Sequence, residues 1–199
     1  MLNIPQNVFL FEVAGHRTVQ TPLVELDPSL AQSQIDSAWW TIPVRSDKLQ
    51  REDDSHWNWQ DLADSCQTQL AWDAVAIQTP GGQVEGAMTF RIDAESLLEN
   101  GKGVVYIDRL AAAPHNRPWL VDTPRYRGVG TALVLVVVQE SYKLGLEGRV
   151  GLSSLPSPRT RDFYQNRGFQ EISQQANGLF DLELPAVSAE NWLRQEGLL

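Results

Sequence analysis

The stretch Arg125-Tyr126-Arg127-Gly128-Val129-Gly130-Thr131 constrains this chain more than any other, because it runs straight into the most apolar segment of the sequence, Ala132 to Val138. A helix start leaves about four backbone N–H groups without intrahelical acceptors and carries partial positive charge, so it attracts an anion. Gly128 and Gly130 lack a Cβ and let the backbone approach such a ligand, while Arg125 and Arg127 add charge and Thr131 a hydroxyl. Together these features describe a phosphate cradle. A turn that simply packs closely is the competing reading. The stretch is not a P-loop, since no Gly-Lys-Ser/Thr follows, and not a dinucleotide fingerprint, since Leu133 stands where a third glycine is required.

Length decides the conformation of the apolar segment. Val-Leu-Val-Val-Val has high β propensity, yet the run continues through Gln139, Glu140, Tyr142 and Lys143 to Leu144, with Gly145 as a C-cap. It therefore reads as a helix buried on several sides, its N-terminus aimed at a ligand.

The rest of the chain supplies strands and helices around it. Val8 to Val13 is a short apolar strand ended by Gly15; Asp27-Pro28 opens a helix, with the acid as N-cap and proline at the first helical position, and Pro43 stops it. Residues 45 to 54 are charged and read as a surface loop, after which Ser55 caps a helix carrying Trp57, Leu62, Cys66 and Leu70 on one face. Trp39, Trp40, Trp57 and Trp59 either pack this helix pair on a sheet or line an aromatic acceptor pocket. From Ala71 the period changes to two: strands over Trp72 to Gln78 and Val84 to Ile92 flank the turn Thr79-Pro80-Gly81-Gly82, and Gly103 to Ala113 makes a third. Alternation places Val104, Tyr106, Asp108 and Leu110 on one face of that strand, and Val105, Ile107, Arg109 and Ala111 on the other. Arg149 to Leu155 is a further strand, 157 to 167 a short helix, Phe169 to Ile172 and Leu179 to Leu184 a closing pair around Asn177-Gly178, and Ser188 to Arg194 a last helix.

Three motifs in order now carry a resemblance. Arg125-x-x-Gly128-x-Gly130 matches the Arg/Gln-x-x-Gly-x-Gly/Ala signature of the GNAT superfamily of acyl-CoA-dependent N-acyltransferases; Leu110-Ala111-Ala112-Ala113-Pro114 resembles the end of that family's fourth strand; Phe163-Tyr164-Gln165-Asn166-Arg167-Gly168-Phe169 resembles its Phe-Tyr-x-x-x-Gly-Phe segment. The likeness covers roughly residues 70 to 184. It implies an α/β fold with a mixed, largely antiparallel central sheet flanked by helices. Residues 1–199 then form a single acetyltransferase-like domain, with the strand and helices of 1–69 shaping the acceptor site.

The resemblance also assigns roles. Acetyl-CoA would be the acyl donor, held at its pyrophosphate by Arg125, Tyr126, Arg127, Gly128, Val129, Gly130, Thr131 and Ala132, and along its pantetheine by the backbone of Leu110, Ala111 and Ala112. A backbone N–H there would serve the thioester oxygen as oxyanion donor. Tyr164 would be the general acid for the departing thiolate, and Ser157, where the family has asparagine, would keep a polar cofactor contact. Arg161 stands in place of a family alanine and is a second candidate for a CoA phosphate. Where many relatives carry a glutamate base this chain has Tyr106, so Tyr106, Asp108, Glu85 and His115 are all candidates for deprotonating the amine. A second departure is the ten-residue insertion from His115 to Pro124, which either folds over a ligand or is a plain surface loop.

The function implied is direct transfer of an acetyl group to an amine, that of an acyltransferase transferring groups other than amino-acyl groups. A non-catalytic acyl-CoA-binding or sensing module is the alternative. A net charge of −9 argues against a nucleic-acid or anionic-membrane partner and fits a small-molecule or peptide amine as acceptor. The lone Cys66 excludes an internal disulfide, and the three scattered histidines make no metal site. The longest apolar run is seven residues, so no membrane span and a cytoplasmic location are expected, with an apolar helix face or an edge strand available to a homodimer.

Overall fold

A computed structural model describes residues 6–41 and 52–198. Its strands are β1 (Asn7–Glu12), β2 (Arg17–Glu25), β3 (Trp72–Gln78), β4 (Val84–Glu95), β5 (Gly103–Ala112), β6 (Tyr126–Arg127), β7 (Val150–Ser154), β8 (Gln170–Gln174) and β9 (Phe180–Leu184). They form one open sheet in the order β6-β1-β2-β3-β4-β5-β7-β9-β8. β5 and β7 pair in parallel, whereas β1 with β2, β1 with β6, β2 with β3, β7 with β9 and β8 with β9 are antiparallel. The α-helices are α1 (Pro28–Ala31), α2 (Trp59–Gln67), α3 (Val129–Lys143), α4 (Pro158–Gln165) and α5 (Ala186–Gln195). The mixed, mostly antiparallel sheet flanked by helices is the fold class expected above.

The described chain forms two compact units, one reaching to Thr89 and resuming over Arg109–Val134, the other comprising Phe90–Asp108 and the chain from Leu135 onward. The divisions fall inside β4, β5 and α3, so each unit is built on part of the same three elements.

In the first unit, Asp27 caps α1 as expected, its carboxylate accepting from Leu30 N at 2.8 Å. The helix does not continue to Pro43, which lies outside the described residues. It gives way after Ala31 to a π turn, Gln32–Asp36, marked by Ser37 N donating to Gln32 O at 3.0 Å, and then to a 3₁₀ turn at Trp39–Thr41. The wider turn presents Asp36 to the start of α2, where its two oxygens accept from Trp59 N (3.0 Å) and Gln60 N (2.9 Å). Asn58, not Ser55, is the N-cap, accepting from Asp61 N at 3.1 Å. The buried face of α2 is Trp59, Ala63 and Cys66, and Leu70 is fully exposed. Trp39 and Trp59 are core residues in edge-to-face contact at 6.0 Å, and Trp39 Nε1 donates to Val84 O at 3.0 Å, so these two indoles pack rather than line a pocket.

The sequence also did not announce β2. Pro22 inside it normally demotes a strand, but here the residue pairs with Asn7, and β2 joins β3 only over Leu23–Glu25.

In the second unit, Val105, Val150, Leu152, Leu182 and Leu184 are buried on one face of β5, β7 and β9, and Val104 is buried on the other. α3 ends in the expected way: Gly145 has φ +75°, Gly145 N donates to Tyr142 O (3.0 Å) and Leu146 N to Ser141 O (2.8 Å), the paired bonds of a Schellman cap.

Candidate functional site

The cradle is a glycine-capped helix start approached by a short strand. β6 pairs with β1 (Phe11 with Arg127, Glu12 with Tyr126), and Val13 N donates to Arg125 O at 3.0 Å, so Arg125, Tyr126 and Arg127 are held in line with the sheet. Gly128 has φ +86°, and its carbonyl accepts the first helical bond, from Ala132 N at 2.8 Å. That makes it the N-cap, with the first-turn N–H groups from Val129 onward directed outward by helix geometry. A Cβ added at Gly128 would meet nothing within 4 Å, so the space before the helix is open and the residue type is set by φ alone. Tyr126, expected to hold the cofactor, is buried, with the Arg125 guanidinium 5.3 Å from its ring centroid, and its backbone N–H donates to Asn116 Oδ1, so neither its ring nor its N–H is turned to a ligand.

Arg125 is itself mounted. Its Nη1 lies 3.3 Å from Oε1 of Glu85, a completely buried carboxylate, and hydrogen-bonds Gln83. The other oxygen of Glu85 is 2.5 Å from His115 Nε2 and accepts from Asn116 Nδ2 at 2.8 Å, while Asn116 Oδ1 accepts from Tyr126 N at 2.8 Å. Glu85 and His115, two of the candidate bases, are thus partners of each other at the root of the cradle.

On the neighbouring register position of β4 sits Gly86. A Cβ there would lie 2.4 Å from Val129 Cγ1 and 3.2 Å from both Ala111 O and Leu133 Cδ1. The first turn of α3 rests directly on this glycine.

The insertion is anchored rather than loose. Arg117 is buried, donating from Nε to Ala112 O (2.8 Å), from Nη1 to Glu52 and Asp54 (2.8 Å each) and from Nη2 to Asp54, with its Cζ 5.5 Å from the Trp40 ring centroid. Trp119 Nε1 adds a bond to Glu52 at 2.9 Å. Burial alone would lower the Arg117 pKa, but the hydrogen bonds and charges of Asp54 and Glu52 outweigh it and raise it. Asp54, expected in a surface loop, is buried by this contact.

The remaining candidates lie in the other unit. Tyr164 on α4 is 6% exposed, edge-to-face with Phe163 (4.9 Å) and Phe169 (5.3 Å). Burial raises its pKa well above that of a free phenol, and the Arg167 charge offsets this only in part, so the hydroxyl keeps its proton at neutral pH. Ser157 is the N-cap residue of α4 and makes no side-chain cap bond. Arg161 stacks over Phe180, 4.3 Å from the centroid, and lies 3.5 Å from Glu171. Asp108 is half-buried. Tyr106 is joined to residues that sequence reasoning missed: its Oη is 2.7 Å from Ser153 Oγ, which donates to Asp181 Oδ1 at 3.0 Å. Among the described residues no cluster of His, Cys, Asp or Glu is arranged to hold a metal ion, and no helix is long and apolar enough to cross a membrane.

No family model matches the sequence, and neither does any curated protein. Solved structures do match. The fold is similar to apo FdhC, described as a nucleotide-linked sugar GNAT, with a TM-score of 0.62 and 13% identity over 96% of this chain and 97% of that one. It is also similar to an acetyltransferase from Thermus thermophilus (TM-score 0.54, 15% identity, 81% and 94% coverage) and to the PaiA N-acetyltransferase from Thermoplasma acidophilum in complex with coenzyme A (0.51, 15%, 83% and 98%). The protein has the GNAT fold.

Proposed function

We propose that the protein is an acyl-CoA-dependent N-acyltransferase that moves an acetyl group from acetyl-CoA directly to an amine. The observation that carries this reading is the N-cap of α3: a glycine with φ +86°, open space in front of it, and a strand-held arginine pair leading into it. First-turn N–H groups with positive side chains suit a pyrophosphate. Acetyl-CoA supplies an activated acyl group. The first-turn N–H groups from Val129 onward, with the side chains of Arg125 and Arg127, hold its phosphates, since Tyr126 N and Ala132 N already donate to Asn116 and Gly128. The backbone of Leu110–Ala112 accompanies the pantetheine and provides an oxyanion donor, and Ser157 adds a polar contact.

Tyr164 serves as general acid toward the sulfur, and its raised pKa keeps it in the donating form. Tyr106 and Asp108 stand on the strand where the amine is deprotonated. Positioning two substrates in one site contributes on the order of 7 kcal/mol, so no covalent enzyme intermediate is required. The cellular setting we infer is cytoplasmic.

Calorimetry of acetyl-CoA binding to wild type and to Gly128→Glu tests the cradle. Binding to wild type and none to a folded Gly128→Glu is the expected result, and no binding to wild type removes the proposal. With binding retained, Tyr164→Phe should lower transfer by about 10² to 10⁴-fold; an unchanged rate would reassign the acid.

A further inference from the structure

Tyr106 on β5, Ser153 on β7, Asp181 on β9 and Ser173 on β8 stand on four strands adjacent in the sheet, and their register lines them up. Tyr106 pairs with Gly151, two positions from Ser153 on the same face; Ser153 pairs with Asp181, and Asp181 with Ser173. Gly151 has a reason to be glycine, since a Cβ there would press on the Tyr106 ring at 3.3 Å. Without it the phenol reaches Ser153.

The direction of each hydrogen bond follows from counting protons. Asp181 accepts from Ser173 Oγ (2.7 Å), Gln175 Nε2 (2.5 Å) and Ser153 Oγ (3.0 Å). Burial tends to raise its pKa, but these three bonds prevail and lower it, so the carboxylate is ionised and can only accept. Ser153 has one proton, and Asp181 takes it. Gln175 Nε2 donates to Ser153 Oγ at 2.8 Å, which leaves Tyr106, 2.7 Å away, to donate its proton to the same oxygen. The Tyr106 oxygen is therefore turned to accept from anything that approaches it. An N–H of an attacking amine is such a donor.

We propose that Tyr106 receives the proton of the attacking amine and that Ser153 and Asp181 are positioning residues that carry it onward, an inference resting on the amine acyl transfer proposed above. As the nitrogen lone pair forms the C–N bond and the C–S pair leaves on sulfur, the nitrogen's surplus proton passes to Tyr106 Oη. The Tyr106 proton passes to Ser153 Oγ, and the Ser153 proton to Asp181 Oδ1. Tyr164 protonates the thiolate separately. The nitrogen grows steadily more acidic as it becomes an amide, so a carboxylate with a low proton affinity suffices late in the step. Asp181 is half-buried and returns its proton to water afterwards.

Steady-state transfer from acetyl-CoA to n-butylamine, spermidine and a lysine peptide tests the relay. Ser153→Ala and Asp181→Asn should each lower kcat by about 10²-fold with the KM for acetyl-CoA unchanged, and Ser153→Thr should restore most of the loss. The solvent-deuterium proton inventory should be curved in wild type and lose that curvature in Ser153→Ala. Wild-type kcat in Ser153→Ala, or Ser153→Thr as slow as Ser153→Ala, overturns the relay. Acetyl-CoA binding with no transfer to any of the three amines also overturns it while leaving the cradle intact; no acetyl-CoA binding removes the underlying reading instead.

Discussion

Arg117 holds its guanidinium almost entirely out of water, and the arrangement persists only because Asp54 and Glu52 meet it there. Arg117→Met strands the buried Asp54 and Glu52 carboxylates and should cost about 3 kcal/mol in urea unfolding, whereas Arg117→Met combined with Asp54→Leu and Glu52→Gln should recover most of it, since no unpaired charge then stays buried. Asp181 gives a pH signature. Its folded pKa is lowered, so its ionised form stabilises the fold above about pH 4 and that contribution is lost as the pH falls through the folded value. The urea midpoint of wild type should therefore drop further between pH 7 and pH 3 than that of Asp181→Asn. Neither residue was legible as a partner in the sequence. Ser153 and Asp181 sit on different strands and meet only through register, and Arg117 finds Asp54 across 63 positions. The turn at Gly128 and the helix that carries Tyr164 were legible as structure, because each belongs to a short motif with its own spacing.

Short apolar runs bounded by clear turns could be read directly: β3 and its Gly-Gly turn fall where expected, as does the Gly145 cap of α3. The misreadings cluster where a distant group replaces a local rule. α2 takes its cap from Asn58 and two further acceptors from Asp36, 23 and 24 positions away, and only the π turn brings that carboxylate into place. Asp36→Ala leaves two helix-start N–H groups without their acceptor and should lower stability by about 1–2 kcal/mol, read from the denaturant midpoint. The β6 segment was similarly hidden, since two residues carry no periodicity and exist as strand only because β1 lies beside them.

For the molecule as a whole, any ligand that binds only the folded chain stabilises it by mass action. Acetyl-CoA at about 100 times its Kd should add roughly 2.7 kcal/mol, seen as a rise in Tm that Gly128→Glu does not share. Duplex DNA should leave the wild-type Tm unchanged, because a chain of net charge −9 repels it. The architecture spans 96% of this chain and 97% of the FdhC chain at 13% identity, so one fold is reached with few residues in common.

Gly86 and Val129 share one volume, 43 positions apart in the chain. A methyl gained at one site has to be surrendered at the other, so among descendants of this sequence the two positions should drift as a couple. Gly86→Ala alone should destabilise the fold by about 1–3 kcal/mol through overpacking, and adding Val129→Ala should relieve it, a non-additivity that a double-mutant cycle on unfolding free energy measures. The place where an anion would rest is thus calibrated by a hydrogen atom on a strand, and its history would be written at two sites at once.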